Sequence, residues 1–250
     1  MRFENKVIFI TGGASGIGRA TAERVVAEGG TAALVDLDGD RARQVAEEIG
    51  GGCIGLAANV ADEQQVADAV RATVAALGGI DGVLAAAGHA EFGPTAEWDA
   101  DRLMRMLSVH IGGTFFACKH ALPVMKQRGR GAIVTIASTA AVMANNNNVP
   151  YGAAKAGIAG LTRQLMFEAL PEVRINCVAP GRTITGMTTP LMLARGGDME
   201  KGEEIFGAAI PMKRMGTADE LAAAICFFLS DDSSFVTGQT LVVDGGETIS

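Results

Sequence analysis

The chain has 250 residues, 48% of them hydrophobic and 20% charged, with a formal net charge of −7. This suffices for one well-buried α/β domain over residues 1–250 and requires no second one. The acidic balance, without any Lys- or Arg-rich stretch, argues against a nucleic-acid partner, and no apolar run is long enough to span a bilayer.

Short apolar runs alternate with longer helical patterns from end to end. Val7–Thr11, Thr31–Asp36, Cys53–Ala57, Gly82–Ala87, Ala132–Ser138, Arg174–Ala179 and Thr240–Val243 are predicted strands. Several are almost wholly apolar, as parallel strands covered on both faces must be. Asp62–Gln65 opens a helix with Val66, Val70 and Leu77 on one side, and Thr217-Ala218-Asp219-Glu220 has the form of a capping box. The alternation predicts a doubly wound, Rossmann-like parallel sheet flanked by helices on both faces. Asn145–Asn148 reads as a loop, and Thr183–Met215 as a weakly patterned insertion that serves substrate binding.

Cys53, Cys118, Cys177 and Cys226 form no Cys-x-x-Cys pair, so free structural thiols in a reducing compartment are expected. His89, His110 and His120 lack zinc-ligand spacing, and no metal is expected. Met1–Lys6 runs straight into the first strand without signal-peptide character, so a cytoplasmic location is expected.

Gly12, Ser15, Gly16, Ile17 and Gly18 lie in the turn between the first strand and the first helix. Glycines there permit a tight turn, and the helix N-terminus offers free N–H groups and a positive dipole end to a pyrophosphate. In this strand–turn–helix context the motif predicts dinucleotide binding. Asp36 ends the second strand, beside Leu37, where its carboxylate can accept from the adenosine ribose hydroxyls and repel a 2′-phosphate. With Arg19 the only basic residue nearby, NAD is expected over NADP.

Tyr151 is the chain's only tyrosine, and Lys155 follows it at i+4, on the same face of a helix. A cation there favours the phenolate, which is what a general base for an alcohol needs. Ser138 ends the strand before them.

With Thr11-Gly12…Gly16-Ile17-Gly18, Ala86-Ala87-Gly88, Ser138, Tyr151…Lys155, Pro180-Gly181 and Leu241–Gly246, the chain resembles the short-chain dehydrogenase/reductase family along essentially its whole length. The resemblance implies hydride transfer between a nicotinamide and a secondary alcohol or ketone. It implies Tyr151 as acid/base, Ser138 on the substrate oxygen, and Lys155 on the nicotinamide ribose. It also implies Asn59 and Val60 on adenine, Ala87 and Gly88 beside the cofactor, and Pro180, Gly181, Thr183 and Thr185 at the carboxamide. A homotetramer with Asp101–Met125 and Tyr151–Leu170 at one interface is implied as well.

Three positions depart from the family pattern. Ala86 stands where Asn is usual, removing a strand-end hydrogen bond; Asn59 stands where Asp is common; and His110 stands where Asn helps hold a proton-relay water. Histidine titrates near neutral pH and passes protons, so His110 is a candidate for the relay. By family position the pocket draws on His89, Phe92, Ala140, Val142, Met143, Met187, Leu191, Met192 and Phe206, which favours a neutral, moderately lipophilic substrate. Arg182 and Arg195 are candidates to clamp an anion, and His89 and the asparagine run could add polar contacts at the mouth, although a solvated loop is the expectation for most of those asparagines. A 3-oxoacyl-thioester reductase is the alternative enzyme, distinguished by NADPH preference. A non-catalytic NAD-binding sensor or scaffold is the alternative of another class.

Overall fold

The computed structural model describes residues 1–144 and 146–250; Asn145 lies outside the described residues. β1 (Val7–Thr11) leads through the glycine turn into α1 (Gly16–Ala27), followed by β2 (Thr31–Asp36), α2 (Gly39–Ile49), β3 (Ile54–Ala57), α3 (Glu63–Leu77) and β4 (Gly82–Ala85). Then come α4 (Ala100–Leu107), a π-helical turn at Ser108–Gly112, α5 (Gly113–Gln127), β5 (Gly131–Ile136), α6 (Val149–Ala169) and β6 (Val173–Pro180). The chain closes with β7 (Thr183–Ile184), α7 (Thr189–Gly196), α8 (Met199–Ala208), β8 (Gly216–Thr217), α9 (Ala218–Leu229) and β9 (Thr240–Val243).

Seven strands form one parallel sheet in the order β3-β2-β1-β4-β5-β6-β9. Successive side chains point to opposite faces, so each strand feeds two cores. Phe9, Val83, Ile133 and Ile175 pack on Val66 and Val70 of α3 and Ala117, Ala121 and Met125 of α5. Ile8, Ile10, Leu34, Leu84 and Val134 pack on Ala22 and Val25 of α1 and Leu221, Ile225 and Phe228 of α9. Each fully buried Ile, Leu or Phe contributes roughly 1.5–3 kcal/mol, which explains why these strands are apolar throughout.

The order reverses at β1, with β2 on one side and β4 on the other, opening a crevice beyond their carboxyl ends. Two glycines are obligatory there. Gly12 has φ +69°, and a Cβ on it would sit 2.9 Å from the Ala87 Cα; a Cβ on Gly18 would run into the Gly12 carbonyl.

The strands expected to extend to Ala87 and Ser138 stop earlier. β4 ends at Ala85 because the N–H groups of Ala86 and Ala87 turn to the buried Thr11 Oγ1, both at 3.2 Å. β5 ends at Ile136, and the chain swings at Ser138 into a short 3-10 turn over Thr139–Ala141. The capping box at α9 forms as expected: the Thr217 side chain accepts from the Glu220 N–H, and Glu220 accepts from the Thr217 N–H at 2.9 Å.

The weakly patterned Thr183–Met215 segment contains two helices. α7 and α8 enclose a small core of Met192, Ile210 and Met215, with Ile184 and Phe206 against it. Its apolar residues are too few to print a clear helical period.

Thr11→Val keeps the shape of the side chain but leaves the Ala87 N–H without its acceptor. A loss of about 1–3 kcal/mol is expected, read from the urea midpoint.

Candidate active site

The crevice holds a cavity of about 1030 Å³ at the carboxyl ends of the central strands. Every residue expected to hold a dinucleotide lines it, from Gly12 through Asp36 and Asn59 to Thr185. At one end α1 presents its N-terminus. The Ser15 side chain caps no N–H there, and the first turn carries no acidic residue, so the donors and the dipole stay available to an anion. Asp36 is oriented by the Ala14 N–H, donating to Oδ2 at 3.1 Å, and by the Asp38 N–H, donating to Oδ1 at 3.3 Å. The Asn59 Oδ1 already accepts from the Ala61 N–H at 3.0 Å, which turns the side chain back on its own loop. Thr185 comes within 3.6 Å of where a Gly16 Cβ would stand, so the segment after β6 closes over the phosphate turn. Free N–H groups, glycines where backbone must approach, and an oriented carboxylate fit a nicotinamide dinucleotide.

Ser138 leaves the end of β5 in extended conformation, its Oγ accepting from the Ala140 N–H at 3.2 Å. Tyr151 and Lys155 lie on one face of α6. Lys155 Nζ sits 5.6 Å from the Tyr151 ring centre and donates to the Ile136 carbonyl at 2.9 Å. Lys155 is only 5% exposed, and burial lowers its pKa from 10.5 to about 8.

The expected depression of the Tyr151 pKa by that ammonium is not found. Burial pushes the phenol above its ordinary value, and the Ser138 hydroxyl is what pulls it back. The ammonium is itself desolvated and committed to the Ile136 carbonyl, and the desolvation of the phenolate outweighs it.

His110 is fully buried in the π-helical turn between α4 and α5. Its Nε2–H donates to the His89 carbonyl at 2.8 Å, leaving Nδ1 as an acceptor that has no partner among the described residues. The ring packs edge-on to Tyr151 with centres 5.5 Å apart, and a Cβ on Gly88 would sit 2.5 Å from its Cε1. The expectation that His110 titrates near neutral pH is overturned. Burial and the nearby Lys155 lower its pKa from 6.5 to about 3, so the imidazole is neutral at ordinary pH.

Of the expected substrate residues, His89, Ala140 and Met187 line the cavity, as do Phe92, Leu191 and Phe206. Met192 does not: it is 1% exposed, in the core beneath α7 and α8. Met143 and Val142 are not in the lining either, because the chain turns away after Ser138, with the Met143 N–H donating to the Thr139 carbonyl at 2.9 Å. Arg105, which no sequence expectation named, reaches the cavity from α4; Asn148, of the run expected to be mostly solvated loop with polar contacts at the mouth, lines the cavity and is buried at the N-terminus of α6. The one available signal for Asn148 was its place three residues before Tyr151.

The displaced His110 pKa has a consequence for stability. The unfolded chain takes up this proton below about pH 6.5, whereas the folded chain resists until about pH 3, so acid favours unfolding across that window. Wild type is expected to lose stability relative to His110→Asn as pH falls from 6.5, by up to roughly 2 kcal/mol at pH 5, read from urea midpoints at each pH.

A family model described as enoyl-(acyl carrier protein) reductase matches residues 12–248. Levodione reductase from Leifsonia aquatica is 36% identical over 255 residues, covering 99% of this chain and 96% of that protein. A crystal structure of levodione reductase superposes with a TM-score of 0.92 at 35% identity, covering 99% of both chains. The 2-(S)-hydroxypropyl-CoM dehydrogenase 3 of Xanthobacter autotrophicus (strain ATCC BAA-1158 / Py2) is 37% identical over 252 residues, 99% of this chain and 98% of that one. D-threitol dehydrogenase of Mycolicibacterium smegmatis (strain ATCC 700084 / mc(2)155) is 35% identical over 252 residues, 99% and 95%. With the parallel sheet and the site geometry, these matches establish that the chain belongs to the short-chain dehydrogenase/reductase family and is an oxidoreductase of the alcohol–ketone type.

Proposed function

We propose that the protein is an NAD-dependent dehydrogenase of secondary alcohols, acting reversibly on the corresponding ketones. The observation that carries this reading is that Ser138, Tyr151 and Lys155 line the same cavity as the glycine turn and Asp36. A bound nicotinamide supplies the hydride acceptor or donor. The Ser138 hydroxyl donates to the substrate oxygen, and the Tyr151 Oη takes its proton as the carbon–hydrogen bond breaks. The Lys155 ammonium, whose pKa burial lowers to about 8, stabilises the phenolate that accepts this proton in oxidation and is left behind in reduction, and it would hold the nicotinamide ribose.

Asp36 sets the cofactor preference: its carboxylate accepts ribose hydroxyls and repels a 2′-phosphate. Ser15 and Ile17 of the glycine turn take the pyrophosphate side. Asn59 and Val60 face adenine, and Pro180, Gly181, Thr183 and Thr185 the carboxamide. His110 serves the relay as a neutral acceptor at Nδ1 that holds a water, without a standing charge. The Thr183–Met215 segment covers the substrate, and the names of similar proteins, a levodione reductase and a D-threitol dehydrogenase, fit small-molecule alcohol–ketone chemistry.

The assembly we propose is a cytoplasmic homotetramer. Supporting it, Met104 on α4, Phe115 on α5 and Phe167 on α6 are exposed, at 56%, 39% and 76%, as are Phe235 and Ile249 flanking the edge strand β9. The described cysteines are all free, as in a reducing compartment.

Three outcomes are expected. Tyr151→Phe lowers NAD-dependent alcohol oxidation by about 10²–10⁴-fold, with NADH binding retained in a fluorescence titration; NADH binding without turnover in wild type supports the sensor reading instead. The kcat/KM for NADH exceeds that for NADPH, and Asp36→Ala narrows that ratio at least about tenfold. The oxidation rate climbs into the alkaline range, because the raised Tyr151 phenol must lose its proton. An unchanged pH–rate profile in His110→Asn would remove His110 from the relay.

A further inference from the structure

We infer that the substrate carries a second hydroxyl near its reacting carbinol or carbonyl, bound between the side chains of Asn148 and His89. This rests on the dehydrogenase reading above and deepens it by naming the substrate class, a diol or hydroxyketone.

Buried polar atoms are almost always paired, because an unsatisfied one costs about 1–3 kcal/mol. Among the described residues few side-chain atoms break this rule, and two of them, Asn148 Oδ1 and His89 Nε2, belong to residues lining the active-site cavity. Asn148 is 8% exposed, so water does not account for its oxygen by open solvation. It stands at the N-terminus of α6 without capping the helix; its side chain is free of the task that usually places an asparagine there.

Both residues belong to one wall. The Gly93 N–H donates to the Asn147 carbonyl at 3.0 Å, tying the loop after His89 to the loop before α6. Phe92, on the loop after His89, lines the same cavity, its ring centre 6.0 Å from that of Tyr151. The His89 ring centre is 5.4 Å from that of His110, which is 5.5 Å from that of Tyr151. His89, through His110, and Asn148, at the start of the helix that carries Tyr151, thus both belong to the Tyr151 end of the cavity lining.

The chemistry of the pair selects its ligand. The Asn148 Oδ1 can only accept a hydrogen bond. The His89 pKa is lowered by burial, so its imidazole is neutral and its Nε2 can accept or donate. A carboxylate would face the Asn148 oxygen with no proton to give, and a ketone oxygen likewise. A hydroxyl donates to Asn148 and accepts from, or shares with, His89. The apolar Phe92 and Met187 then cover the carbon skeleton.

The test compares cyclohexanol with cis- and trans-1,2-cyclohexanediol. Wild type is expected to favour at least one diol by about tenfold or more in kcat/KM, and Asn148→Leu and His89→Phe are each expected to reduce that diol-to-monool ratio at least about tenfold. A ratio that is the same in wild type and both variants overturns the inference and leaves a trapped water as the partner of the two atoms. The same ratio is measured as equilibrium affinity for Tyr151→Phe protein saturated with NADH, which needs no turnover. A binding ratio that collapses in the variants supports the hydroxyl site even if wild type turns over neither alcohol, an outcome that would overturn the dehydrogenase reading alone. A binding ratio that does not change removes the hydroxyl site whatever the turnover.

Discussion

The site depends on the close approach of two strand ends. β1 is paired along its length with both β2 and β4, and where it stops, Gly12 comes so near Ala87 that no Cβ fits. The Thr11 hydroxyl closes the gap by accepting the N–H groups of Ala86 and Ala87. The phosphate turn and the Gly88–His89 loop are thereby fixed on opposite lips of one crevice. A side chain at Gly12 would wedge the lips apart and move Ser138 and Tyr151 relative to any dinucleotide.

On the catalytic side, burial sets the electrostatics. α6 comes close to its neighbours because its inward positions are small: a Cβ on Gly157 would sit 2.8 Å from the Ile111 side chain, and one on Gly152 3.3 Å from the Ala140 carbonyl. That closeness strips water from Lys155, His110 and Tyr151 together. The cation becomes easier to deprotonate, the imidazole stays neutral, and the phenol holds its proton more tightly. The π-helical turn at Ser108–Gly112 delivers His110 into this space, an example of such turns placing a functional side chain.

The α7–α8 segment is built differently. It has its own small core of Met192, Ile210 and Met215 and is tied back by Arg182, which pairs with Glu247 at 2.8 Å and lies over the Phe206 ring at 5.5 Å. A cover with a separate core can be shaped for a substrate without disturbing the sheet beneath it.

The sequence by itself did not determine the short strands β7 and β8, but it determined the seven strands of the main sheet, their parallel pairing and the dinucleotide end of the cavity. Each of these rests on local patterns: short, almost wholly apolar runs alternating with helical ones, a glycine turn between strand and helix, an acid at the end of β2, and Tyr151 one helical turn before Lys155. Tertiary structure decided what depends on depth. From sequence, His110 is a neutral-pH titrating group and Lys155 a cation lowering the Tyr151 pKa; burial instead keeps the His110 imidazole neutral and raises the Tyr151 phenol. Met192 and Met143 look like pocket residues by position, and the turn of the chain after Ser138 and the core under α7 withdraw them. Asn148 looks like one of a solvated run, and α6 buries it. Solvent exposure is a property of what the distant chain brings alongside, so it sets pKa values and pocket membership that no local pattern encodes.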